Sequence, residues 1–203
     1  MTTQELLQKH RPAFDLTVHN PFAQAVKNGT LGRESFDRWL MQASHLVEGH
    51  FAPVSRLLAV APVRDRPVLL EGLERLSAEI DWYHELIARR RLDASAPVHP
   101  VILKMRNQMV SLAFEPYAVG IVAFWAQGIT YTGAWKARRA PSGPYRDFLE
   151  RWGHARADAF VRRLERAADR ALAEATPRDR AAAEEAFLRV VNDKLAYWSI
   201  VLG

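Results

Sequence analysis

Twenty consecutive residues, Pro116 to Trp135, carry no charged side chain. A run of that length either spans a membrane or is buried on every side by the rest of its own chain. Gly120, Gln127, Gly128, Thr130, Thr132 and Gly133 interrupt its apolar character, and the segments around it are amphipathic. It therefore predicts a helix enclosed by other helices, not a membrane span.

The enclosing segments are delimited by Pro and Gly, and none shows the alternation of a strand. After a short N-terminal helix, Asn20-Pro21-Phe22 opens a second helix that stops at Asn28-Gly29. A long third helix from about Arg33 to Val60 has an apolar face of Phe36, Trp39, Leu40, Ala43, Val47, Val54 and Leu58, with Pro53 placed to kink it. Asp65 is positioned to cap a fourth helix reaching about Arg90. A loop from Leu92 to Pro97 leads to a fifth helix near Val98–Ala113, and the uncharged helix, extended to Pro141-Ser142-Gly143-Pro144, is the sixth. The seventh spans about Tyr145 to Ala175, and after Thr176-Pro177 the eighth runs from about Arg178 to Val201. The expected fold class is all-α, a single domain over residues 1–203 with about eight helices around one core.

Composition narrows the function. The chain has no cysteine, which removes disulfides, thiolate metal ligands and thiol nucleophiles. Met1 to Lys9 lacks the apolar core of a secretory signal, so a cytoplasmic location is expected. The net charge is +5, with arginine clusters at Arg89-Arg90-Arg91, Arg138-Arg139 and Arg162-Arg163. Acidic residues are interspersed along the same helices and no recognition motif accompanies the arginines, which argues against nucleic acid as a partner.

A few polar residues fall on faces that should be buried. Lys194 shares its face of the last helix with Phe187, Val191, Leu195 and Trp198, so its stem points inward. Either the ammonium snorkels to the edge, or it sits at the bottom of a pocket, paired to a carboxylate or awaiting an anionic ligand. Glu79 lies within the apolar arc of Leu76, Ile80 and Tyr83 and is the candidate partner; with Lys194 it is also the candidate catalytic residue. His84 borders that arc, whereas Glu48 lies on the outer face of its helix. His50 falls near the centre of the apolar stripe of the long helix, seven residues after Ala43, where a histidine is more often a hydrogen-bonded core residue than a catalyst. Gln127 and Tyr131 need partners if their helix is buried, which makes that helix the expected wall of a cavity. Of the aromatic residues Trp39, Trp125, Tyr131, Trp135, Trp152, Tyr197 and Trp198, most are expected in the core.

A metal site is tested by two helical spacings, Asp81-x-x-His84 and His154-x-x-x-Asp158. Asp81 projects from the polar side of its helix, His154 and Asp158 lie off the arc of Trp152, Ala159 and Phe160, and Val161 occupies the third ligand position. No metal and no cofactor are expected.

Asn20-Pro21-Phe22-Ala23-Gln24, Asn28-Gly29-Thr30-Leu31, Phe36 and Leu40-Met41-Gln42, with Tyr145, Trp152-Gly153 and Tyr197-Trp198 further on, resemble the pattern of the TenA (thiaminase II) family over nearly the whole chain. The resemblance implies the haem-oxygenase-like helical fold, shared with the PqqC protein and some di-iron oxidases, and a homodimer or homotetramer. In the thiaminase II members an Asp holds the aminopyrimidine, a Cys attacks it and a Glu moves protons. Carried onto this chain, these positions fall on Ala43, near Ala126 and on Lys194. The resemblance thus implies a pocket for a small heteroaromatic ligand, formed by Ala43, His50, Glu79, His84, Ala126, Gln127, Tyr131, Trp152, Lys194 and Trp198, serving thiamin-pyrimidine salvage or binding without the thiaminase II residues. The alternatives are a non-enzymatic ligand-binding or regulatory homologue and a metal-dependent oxidase; a transcriptional role lacks a DNA-reading motif.

Overall fold

The computed structural model describes residues 1–136, 143–153 and 155–201. Its elements are α1 (Thr3–Lys9), α2 (Arg11–Val18), α3 (Pro21–Lys27), α4 (Arg33–Val60), α5 (Arg66–Arg90), α6 (Pro100–Leu112), α7 (Tyr117–Trp135), α8 (Arg146–Trp152), α9 (Ala155–Glu174) and α10 (Pro177–Ser199), with a single 3-10 turn at Val63–Asp65. The eight expected helices are all present, two of them broken in the middle.

Both breaks have local causes. Pro12 takes a place in the first turn of α2, where its missing N–H costs nothing, so a new helix starts there and α1 ends at Lys9. The expected seventh helix divides at Gly153, where a Cβ would lie 2.8 Å from the Leu149 carbonyl oxygen and 2.9 Å from that of Trp135. Only glycine fits between those two carbonyls, and the chain turns there from α8 into α9. Arg138, Arg139, Pro141, Ser142 and His154, which figure in the sequence expectations, lie outside the described residues.

Side-chain caps start α1, α3, α6 and α10. Thr2 and Glu5 form a reciprocal capping box on α1. The Asn20 side chain accepts from the Ala23 N–H at 2.8 Å and donates to the Thr17 carbonyl at 2.9 Å, tying α2 to α3. Asp65 departs from the expectation, because it precedes α5 but makes no side-chain cap. It is buried, and its carboxylate instead accepts from Arg170 Nε at 3.1 Å and from the Tyr117 hydroxyl at 3.2 Å. A buried carboxylate gains more from a guanidinium than from an N–H that solvent can also reach.

The uncharged helix α7 packs against α10, α9, α2, α4 and α6, and Ala118 to Gln127 are buried without interruption. None of the described helices is long and apolar enough to cross a membrane. Two apolar clusters result. One is largely aliphatic and built on Val54, Leu69, Ile121, Leu164 and Val190; the other is aromatic, with Phe22, Phe36, Trp39, Trp135 and Trp198 fully buried. The resemblance motifs serve this packing: the Tyr145 hydroxyl donates to the Leu31 carbonyl at 2.6 Å, and Gln42 bridges Pro97 and His99 at 3.0 and 2.7 Å, fixing the loop into α6.

Candidate functional site

A cavity of about 370 Å³ lies where the two clusters meet. Helical spacing makes each wall. From α4 come Ala43, Leu46, Val47 and His50, and from α5 Gly72, Arg75, Leu76 and Glu79, each a stripe of residues three, four and seven apart. Phe124, Gln127, Gly128, Tyr131 and Thr132 of α7 face them, α8 and α9 contribute Arg151, Trp152, Phe160 and Val161, and Lys194 and Tyr197 of α10 complete the enclosure.

Glu79, the expected partner of Lys194, is engaged elsewhere. Its Oε2 accepts from Arg151 Nη2 at 2.8 Å and its Oε1 from the Trp152 indole N–H at 2.7 Å. Arg151 is also stacked 4.1 Å from the centre of the Trp82 ring. The guanidinium wins because it meets the carboxylate with two N–H groups near the partly exposed mouth, where neither ion is fully desolvated.

Lys194 is 2% exposed, so its ammonium does not snorkel to the surface. Its Nζ lies 4.9 Å from the centre of the Tyr197 ring and 5.4 Å from that of Tyr131. The neighbouring carboxylate, Asp193, is taken by Lys104 at 2.6 Å. No carboxylate among the described residues pairs with Lys194, and desolvation lowers its pKa to about 7. His50 is lowered to about 3 by desolvation, with Lys194 and Arg106 adding repulsion, so it is a neutral imidazole. Burial also raises Tyr83, Tyr131 and Tyr197 above the ordinary phenol value. His50 Nε2 and Gln127 Oε1 are buried without a hydrogen-bond partner among the described residues. In a folded protein, orphaned polar atoms on a cavity wall mark places where a ligand or water can bond.

Three residues expected in the pocket do not line it. His84 is 59% exposed and pairs with Glu48 at 2.8 Å on the outer surface of α4 and α5. It follows Glu79 by five residues, a rotation of about 140° off the inward stripe. Ala126 is fully buried in the aliphatic cluster, and the residue that α7 presents to the cavity is its neighbour Gln127, about 100° further round. Trp198 is fully buried behind the cavity wall, stacked against Tyr131 at 5.9 Å and an interplanar angle of 18°. Ala43, His50, Glu79, Gln127, Tyr131, Trp152 and Lys194 do line it. Asp158 forms an ion pair with Lys136 at 2.9 Å, Asp81 lies on the solvent side of α5, and His154 is outside the described residues.

Sequence reasoning missed Arg75, Arg151 and Tyr197 as pocket residues. The spacing of Arg75 four residues before Glu79 was available as a signal. Nothing signalled Arg151, whose direction depends on the break at Gly153. A second cleft of about 380 Å³ lies beyond Arg151, lined by Trp82, Arg89, Arg90 and Asp147. Asp37 and Glu79 already neutralise its Arg90 and Arg151, so the central cavity is the candidate site.

Residues 7–203 match the model of the TENA/THI-4/PQQC family. The chain belongs to that family. It is 24% identical over 214 residues to the "Probable bifunctional TENA-E protein" of Glycine max, covering 99% of this chain and 93% of that protein. Its fold matches a TenA homologue from Pyrococcus furiosus with a TM-score of 0.92 at 20% identity, covering 99% of this chain and all of the other. It also matches a protein from Silicibacter described as a TenA family transcription regulator, with a TM-score of 0.88 at 15% identity over 98% and 95% of the two chains. The haem-oxygenase-like TenA fold expected from the resemblance is therefore the fold of this protein. Ala43 and Lys194, on which the resemblance places the family's pyrimidine-binding Asp and proton-moving Glu, both line the cavity.

Proposed function

We propose that this TenA-family protein binds a small planar heteroaromatic molecule, related to the thiamin pyrimidine, in its central cavity and does not carry out thiaminase II hydrolysis. The observation that carries this reading is a cavity walled by Phe124, Tyr131, Trp152, Phe160 and Tyr197, with two residues of its lining, His50 and Gln127, each keeping a buried polar atom, Nε2 and Oε1, without a partner among the described residues. Aromatic walls hold a planar ring, and a few fixed polar atoms orient it. The absence of a thiaminase reaction is argued from Ala43, which supplies no carboxylate to grip an aminopyrimidine, and from Lys194, an amine where the family places its Glu. A solved protein of the same fold is described as a "putative tena-like thiaminase", which supports a thiamin-related class of ligand.

The test is a thermal-shift panel of thiamin, 4-amino-5-aminomethyl-2-methylpyrimidine and its formyl derivative, followed by calorimetry on whatever stabilises. A ligand present at about 100 times its Kd should contribute about 2.7 kcal/mol to stability. Chromatography of the same mixtures should show no hydrolysis. Absence of any shift across the panel would remove the ligand class, and turnover at enzymatic rates would remove the claim about chemistry.

A further inference from the structure

Among the described residues, three lysine or arginine side chains line the cavity, and two already have acidic partners. Arg75 is held by Glu71 at 2.9 Å and Arg151 by Glu79 at 2.8 Å. Lys194 alone among these three has none, and it is by far the most deeply buried of them. An ammonium in such a place is costly, because the few kcal/mol of lost hydration are not returned by a counter-ion. The uncharged amine avoids that cost, on a residue that lines the cavity beside the Tyr131 and Tyr197 rings.

We infer that Lys194 is a nucleophilic amine that condenses with the carbonyl carbon of a heteroaromatic aldehyde held in the central cavity to form an imine. The inference rests on the cavity being a site for a heteroaromatic molecule, and it names the reactive group such a molecule carries. The Lys194 nitrogen donates its lone pair to the carbonyl carbon, forming the C–N bond while the C=O π electrons move to oxygen. The nitrogen's two hydrogens leave as protons and both end on that oxygen. Water departs with the C–O bonding pair and a C=N bond remains, with no change of oxidation state. Amine and aldehyde thus give imine and water.

The surroundings favour a carbonyl over an anion. The cavity walls are mostly apolar, and among the described residues no second unpaired cation lines them to share an anion's charge. A neutral carbonyl enters at a much smaller desolvation cost. The groups around the amine also leave its titration to itself. Burial keeps His50 of α4 neutral above about 3. Tyr131 of α7 and Tyr83 of α5 are held protonated, as is Tyr197 of α10. Glu79 of α5 is engaged by Arg151 and Trp152, Asp193 of α10 by Lys104, and Arg106 of α6 adds positive charge beyond His50. Desolvation alone moves Lys194 toward a free amine near neutral pH.

The test uses the full-length protein with pyridine-4-carbaldehyde, reduction by borohydride, and mass spectrometry of the intact chain and its peptides. Pyridine-4-methanol, which has the ring but no carbonyl, is the parallel probe in thermal shift. A reduced adduct on Lys194 is expected, resolved by peptide mapping from any on the Met1 α-amine or Lys27, and formed at pH 7 roughly tenfold or more faster than on the exposed Lys9, Lys104 and Lys136, because an ordinary lysine is almost wholly protonated there. Lys194→Met, verified as folded by circular dichroism, should lose that adduct. If Lys194 in the native chain reacts no faster than the surface lysines, or if the variant keeps the same adduct, the inference is overturned; the native-chain measurement stands even if the variant does not fold. If the alcohol stabilises the protein while the aldehyde leaves Lys194 unmodified, imine formation falls and the binding cavity survives. If neither probe shifts the melting temperature and no adduct forms, both fall.

Discussion

Trp152 donates its indole N–H to Glu79 across 2.7 Å, and with Arg151 on the other carboxylate oxygen at 2.8 Å this commits Glu79 to the mouth of the cavity. Lys194, on the opposite wall, is left without a carboxylate. The pair that helical periodicity offers is therefore not formed, and the energetic consequence is reversed. Glu79→Gln should cost about 1 kcal/mol through loss of the Arg151 ion pair, a modest figure because both partners are partly exposed. In a double-mutant cycle by urea denaturation, Glu79→Gln and Lys194→Met should be additive within about 0.5 kcal/mol. A coupling well above that would mean the two side chains meet.

Lys194→Met should leave the fold at least as stable as the native chain. Burial lowers the folded amine to about 7, whereas the unfolded chain keeps the ordinary value near 10.4. Between those values the unfolded state holds a proton that the folded state does not, so native stability rises with pH across this window. The penalty of charging Lys194 is complete below pH 7 and disappears toward pH 10. Relative to the native chain, Lys194→Met should therefore gain on the order of 2 kcal/mol at pH 6, with the gain shrinking as pH rises to 10. Denaturation midpoints at pH 6, 8 and 10 would measure it. A gap that widens with pH would contradict a desolvated amine.

Asp65 is 1% exposed and depends on Arg170 and Tyr117 for all of its charged hydrogen bonds. Arg170→Met should strand that carboxylate and destabilise the fold by about 2 kcal/mol, a value reduced because Arg170 is itself 39% exposed. Adding Asp65→Asn should restore much of the loss, since the amide needs no counter-charge. If the single change leaves the urea midpoint unmoved, the pair contributes nothing to holding α5 against α9.

The sequence by itself determined the elements and their inward faces. Helices are local objects, so the spacing of Ala43, Leu46, Val47 and His50, or of Gln127 and Tyr131, fixes which side chains share a face before any partner is known. The uncharged run of α7 required enclosure, and the position of Lys194 among Phe187, Val191 and Trp198 pointed its stem inward while leaving open whether its ammonium reached the edge. The motifs from Asn20 to Gln42 carried the family. Tertiary structure alone decided what each inward residue meets. Glu79 found Trp152 and Arg151 because Gly153 ends α8 where it does, between two carbonyls brought together from Leu149 and Trp135. Trp198 lies behind Tyr131, and Gln127 reaches the cavity in place of Ala126, because the elements packed around α7 and α10 cover one part of each apolar face and leave another open. Periodicity gives an angle about one helix axis, whereas a contact needs the position and orientation of a second, and those are set by how all the side chains pack at once.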